Sequence, residues 1–113
     1  MDDNCLFCRI VRGEIPAKVV ADTAECLAFR DVNPQAPLHV LVIPKQHVPS
    51  LAAADDPALV GRLALVAADI ARREGYEARG YRTVVNTNAD AGQTVFHLHL
   101  HLLAGRALGW PPG

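Results

Sequence analysis

The stretch that decides this chain is QTVFHLHLHLLAG, residues 93–105. Within it, His97, His99 and His101 alternate with Leu98, Leu100 and Leu102. A period of two is the signature of a strand, whose successive side chains leave opposite faces. A strand over 95–104 puts three imidazoles on one face and three leucines on the other, where they must be buried. Same-face neighbours stand roughly 6.5–7 Å apart, so one phosphate or metal ion reaches two rings. Three readings compete. The histidines are simply the polar face of a half-exposed strand; or they bind a metal, with a third ligand from elsewhere; or they act as nucleophile and acid. A neutral imidazole, with an ordinary pKa of ~6.5, keeps a lone pair near neutral pH and attacks phosphorus without a separate base. A protonated neighbour can donate to phosphate oxygens or to a leaving group.

Working outward, VFHLHLHLLA (95–104) is the last of five predicted strands. AKVVAD (17–22) and ECLAFRD (25–31) flank a tight turn at Asp22–Thr23–Ala24, and the apolar LHVLVIP (38–44) lies between Pro37 and Pro44. YRTVVNTN (81–88) is the fourth. The prolines of VNPQAP (32–37) make that segment a loop. Two helices are expected. The short one, over 4–14, presents Leu6, Phe7, Ile10 and Val11. The long one, over 57–74, carries a stripe of Leu59, Leu63, Val66 and Ile70, with Asp55 or Asp56 as cap and Gly75 beyond its end. Strands in neighbouring runs with segregated helices indicate an α+β fold on a five-stranded antiparallel sheet, one domain over 1–113.

The 113 residues are half hydrophobic and one-fifth charged, with a formal net charge of −1. Nothing basic enough for nucleic acid is present, and no apolar run approaches the ~20 residues of a membrane helix. The acidic start MDDNCLFCRI does not resemble a secretory signal, so a cytoplasmic protein is expected. Three cysteines argue against a disulfide framework.

HLHLHLL matches the alternating histidine motif of the histidine triad (HIT) superfamily. CLAFRDVNPQAPLHVLVIPKQHV (26–48), NTNADAGQTVFHLHLHLLAGR (86–106) and GWPPG (109–113) all resemble its nucleotide-binding (Hint) branch. The likeness runs through essentially the whole chain in order. It implies a purine nucleoside phosphoramidate or aminoacyl-adenylate hydrolase. In that branch the middle histidine, here His99, attacks the α-phosphorus, and water then hydrolyses the nucleotidyl-histidine. Two readings compete with it: a dinucleoside polyphosphate hydrolase, or a nucleotide-binding scaffold with incidental catalysis.

The same resemblance implies the remaining roles. His101 contacts phosphate oxygens or the departing group, and His97 and His39 complete the histidine network. Asn86, Gln93 and Thr94 stand on the phosphate side, and Asp31 accepts from the ribose hydroxyls. Phe7, Ile10, Ile15, Phe29 and Val32 form an apolar base wall, which stacks a purine but discriminates adenine from guanine weakly. Thr94 departs from a more usual serine and Arg30 from a frequent histidine. Catalysis is expected to need no metal, because Asp90 is the only carboxylate near the triad in sequence. Cys5 and Cys8 form a C-x-x-C pair, and the resemblance to some bacterial members makes a structural zinc with His39 and His97 one reading. A reduced pair packing the short helix is the other. The tail 105–113, with Trp110, is expected at a homodimer interface near the neighbour's site. The partners expected are purine nucleoside monophosphates and their phosphoramidates.

Overall fold

The computed structural model describes residues 4–113. Residues 1–3, the acidic start read above against a secretory signal, lie outside the described residues. The elements run α1 (Leu6–Val11), β1 (Val19–Asp22), β2 (Cys26–Arg30), β3 (Leu38–Pro44), a 3₁₀ turn at Leu51–Ala53, α2 (Pro57–Arg73), β4 (Arg82–Val84) and β5 (Leu100–Ala104). The five strands form one sheet in the order β1-β2-β3-β5-β4, every pairing antiparallel. This is the α+β architecture that the pattern of elements indicates. No helix among the described residues is long and apolar enough to cross a membrane.

β3 is buried along its whole length, so both faces of the sheet must be covered. On one face Ala28, Val40, Val42, Leu98, Leu100 and Leu102 pack against Leu59, Leu63 and Ile70 of α2. On the other, Leu27, Phe29, Leu41 and Ile43 pack against Phe7 and Cys8 of α1. Burying each such side chain is worth about 1.5–3 kcal/mol before the entropy of ordering it.

α2 starts where Asp56 accepts from the Ala58 N–H at 3.0 Å, with Pro57 at a position that needs no donor. It ends in a Schellman pair, Tyr76 N–H to the Ala71 carbonyl at 2.8 Å and Gly75 N–H to the Arg72 carbonyl at 3.1 Å. That cap needs the left-handed backbone of Gly75, φ +86°.

Two strands are shorter than the pattern suggests. The expected strand 81–88 reduces to Arg82–Val84 and 95–104 to Leu100–Ala104, so His97 and His99 precede the strand that carries His101. The reason is local. The β3–β5 ladder ends at the Val42–Leu100 pair. Beyond it the Pro44 carbonyl accepts from the His97 side chain at 2.8 Å, and the Leu98 N–H turns to the Val48 carbonyl at 2.6 Å. Alternation survives without the ladder: the leucines face α2 while His99 and His101 stay neighbours, ring centroids 5.1 Å apart. After β5, the Arg106 guanidinium donates to the Gln35 carbonyl and Arg82 to the Gly109 carbonyl, both at 2.9 Å. The tail is therefore held as far as residue 109.

Candidate active site and metal cluster

The protonation state of each triad ring follows from the backbone group beside it, because a carbonyl can only accept and an amide N–H can only donate. His99 Nδ1–H donates to the His97 carbonyl at 2.8 Å, which leaves the lone pair on Nε2. The Gln35 N–H donates to His39 Nδ1 at 3.0 Å, so His39 carries its proton on Nε2. That Nε2–H donates to His101 Nδ1 at 2.9 Å, and His101 in turn carries its proton on Nε2. Among the described residues no buried side-chain polar atom lacks a partner, so the unpartnered Nε2 atoms of His99 and His101 are reached by solvent. A bare lone pair and an N–H donor thus stand side by side. Phe7 holds the His99 ring edge-on, centroids 5.2 Å apart.

Burial pulls His101 down to about 4, with nearby His99 and His39 acting in the same direction and Asp31 opposing. Burial also lowers His39, against the Asp31 carboxylate. Both rings are neutral donors at neutral pH.

Beside the triad opens an apolar cleft of about 710 Å³, within the usual range of small-ligand sites. Leu6, Ile10, Ile15, Phe29 and Val32 wall it, with Asp31 and His39 at its polar end. Four of the five expected wall residues therefore line the cleft. Phe7 does not. It lies buried between Phe29, His97 and His99, and the half-exposed Leu6 takes its place. The reason is the 3.6-residue turn of α1, which sends residues 6 and 10 to one side and residue 7 into the sheet. Gln93, expected on the phosphate side, has its side-chain amide bonded within the protein. Both its amide hydrogens are committed, to the Pro49 and Val95 carbonyls at 2.9 and 3.1 Å, and its oxygen accepts from the Asn88 N–H at 2.8 Å. It staples the loop before the triad. Thr94 is exposed, Asn86 is half-buried just past β4, and Trp110 is 83% exposed on the tail.

The cysteines gather a different histidine from the one expected. Cys5, Cys8, His47 and His97 bring four donor atoms within 4.8 Å of one another, and His39 is not among them. His39 belongs instead to the His101 chain, because the Gln35 N–H has fixed its tautomer. His97 Nε2–H donates to the Pro44 carbonyl at 2.8 Å, which aims the Nδ1 lone pair at the cluster, the arrangement metal-ligating histidines use. His97 Nδ1 lies 3.3 Å from Cys5 Sγ, 3.5 Å from Cys8 Sγ and 3.3 Å from His47 Nδ1; Cys8 Sγ lies 3.2 Å from His47 Nδ1. Tetrahedral zinc, with Zn–S of about 2.3 Å and Zn–N of about 2.0 Å, sets its ligand atoms roughly 3.3–3.8 Å apart. Donor types and spacing therefore fit that ion. The second group of metal-capable residues, Asp31, His39 and His101, does not fit, since His39 Nε2 is protonated and committed. His47 was legible only as the one histidine of five with no assigned role.

With the histidine pair, the apolar cleft and the five-stranded sheet in place, the chain belongs to the HIT family. The HIT domain model matches residues 12–108. A HIT-like protein from Synechococcus elongatus is 55% identical over the full length of both chains. A HIT family hydrolase from Legionella pneumophila superposes with a TM-score of 0.95 at 49% identity, covering 97% of this chain and all of that one. A histidine triad protein from Clostridium difficile gives 0.93 at 41% identity, over 96% of each. A histidine triad nucleotide-binding protein from Candida albicans gives 0.84 at 32%, covering 96% of this chain and 83% of that one. The fold is that of a HIT family hydrolase.

Proposed function

We propose that this protein hydrolyses purine nucleoside phosphoramidates and mixed aminoacyl-adenylates through a nucleotidyl intermediate on His99. The observation that carries this reading is the bond from His99 Nδ1–H to the His97 carbonyl, which leaves Nε2 unprotonated and open to solvent. In this reading a purine stacks in the apolar cleft and Asp31 accepts from the ribose hydroxyls. His101 Nε2–H donates to a phosphate oxygen. His99 Nε2 gives its lone pair to phosphorus; in a phosphoramidate the P–N bond breaks and the amine leaves with one proton taken up from solvent, and in an aminoacyl-adenylate the P–O bond to the acyl group breaks and the carboxylate leaves with the electron pair. Water then attacks phosphorus, the P–Nε2 pair returns to His99, and one proton is released. The His97 carbonyl stabilises the cationic ring of the intermediate through the retained Nδ1–H. Dividing the displacement in two lowers each barrier.

We propose further that zinc binds Cys5, Cys8, His47 and His97, where it would serve only as a cross-link. Those residues join α1, which carries Leu6 and Ile10 of the cleft wall, to the segment that holds His99. We also propose a two-fold homodimer, for which the open edge of β4, the exposed Leu65 of α2 and the tail with Trp110 are the available surfaces.

The nucleophile is tested by quenching the protein with a slowly cleaved adenosine phosphoramidate and locating the adenylyl group by mass spectrometry. The label is expected on His99. His99→Ala should lose about 10³-fold or more in turnover, each decade being ~1.36 kcal/mol, while AMP still binds. A label on another residue, or turnover that survives the substitution, overturns the assignment.

A further inference from the structure

We propose that Asp31 is a positioning residue as well as a sugar contact, coupling occupancy of the ribose site to the orientation of His101 through His39. The inference rests on the nucleotide reading above and deepens it.

One short segment, residues 31–39, holds both Asp31 and His39, and His101 of β5 completes the coupling. The Asp31 N–H donates to the His39 carbonyl at 3.0 Å, which places the carboxylate beside the imidazole. Asp31 Oδ1 accepts from the Asn33 N–H at 2.8 Å, so that oxygen is anchored by the loop. Oδ2 lies 3.5 Å from His39 Nε2. The Asp31 side chain is 19% exposed against 5% for His39, so the carboxylate offers a ligand in the cleft more of its surface than the ring beside it does.

His39 has one Nε2–H, bonded to His101 Nδ1 at 2.9 Å, and Asp31 Oδ2 stands 3.5 Å from the same nitrogen, a charge contact longer than an ordinary hydrogen bond. A carboxylate is the stronger acceptor, so an unengaged Asp31 pulls on the hydrogen that sets the His101 tautomer. Two ribose hydroxyls donating to Asp31 take up its lone pairs and spread its charge. The His39 hydrogen is then left to His101 alone. His101 Nδ1 is held as an acceptor, and its Nε2–H stays turned toward the reacting phosphate. Sugar binding thereby contributes to the chemical step and not only to affinity.

The direct test is the imidazole ¹⁵N spectrum of His39 and His101 in the full protein at neutral pH, with AMP and with 2′,3′-dideoxy-AMP. AMP should sharpen His101 into a single Nε2–H tautomer and shift the His39 Nε2 resonance, His39 keeping the tautomer that Gln35 fixes, and the dideoxynucleotide at saturation should do neither. In turnover, removing both hydroxyls from an adenosine phosphoramidate should lower kcat about tenfold as well as raise KM, the size of one lost hydrogen bond. In Asp31→Asn the two substrates should converge in kcat. If Asp31 only binds the sugar, KM alone moves and the two nucleotides give identical ring spectra at saturation; either result overturns the coupling. Absence of phosphoramidate turnover, with AMP still shifting both rings, would remove the proposed reaction and keep the coupling. Failure of AMP to bind at all would remove both.

Discussion

At the scale of single residues, the chemistry rests on which ring nitrogen carries each proton, and backbone groups decide that. The same burial that keeps His101 neutral makes stability depend on pH. Its pKa in the fold, about 4, lies below the ~6.5 of an unfolded histidine, so between those values the unfolded chain binds the extra proton. Stability is therefore fully present above about pH 6.5 and is lost as pH falls toward 4, by up to about 3 kcal/mol before solvent screening. His39 is shifted in the same direction and adds to the loss. Urea midpoints measured from pH 7.5 to 4.5 should fall accordingly, and His101→Gln should flatten the curve; an unchanged slope would refute the assignment. Spacing put His97, His99 and His101 on one face. It could not separate His39 from His47, because what sorts them is a backbone amide, that of Gln35, beside one and two sulfurs beside the other.

At the scale of elements, α1 is too short to persist alone, six residues against the roughly 12–15 an isolated helix needs. It is held by Phe7 and Cys8 in the core, by the Cys5 Sγ that accepts from the Cys8 N–H at 3.3 Å, and by the cysteine–histidine cluster. Stripping the proposed zinc with a strong chelator, or Cys8→Ser, should speed hydrogen exchange of the residue 7–11 amides while those of α2 hold. Protein-bound zinc should fall from one equivalent to none. Unchanged exchange after proven metal loss would mean that packing alone secures the helix. At the other end of the site, Gly105 has φ +101°, and a Cβ there would lie 2.7 Å from the Pro37 Cβ. Gly105→Ala should cost about 1–3 kcal/mol in chemical denaturation, because both the backbone and the proline must yield. The helix limits of α2 and the whole of β3 were readable from capping residues and flanking prolines. The early end of the histidine strand was not, because it depends on a side chain occupying a carbonyl 53 positions away in sequence.

At the scale of the whole molecule, the proposed dimer would cover the β4 edge and the tail that now leaves Trp110 83% exposed. Light scattering should give twice the 12.2 kDa chain mass at micromolar concentration. Trp110→Ala should leave the fold intact and lower turnover of bulky amines more than small ones. A monomer, or an indifferent variant, would refute the tail's role. Alternation of histidine with leucine, the apolar run of β3 and the capped stripe of α2 determined by themselves the α+β sheet, its buried face and the common face of the alternating histidines, because each is a local periodicity that the backbone converts directly into a face. Only the tertiary structure decided which histidine joined the cysteines, that Gln93 is a staple, and that Phe7 backs the site instead of lining it. Those outcomes hang on hydrogen-bond partners and packing neighbours that meet only when distant segments close around one core.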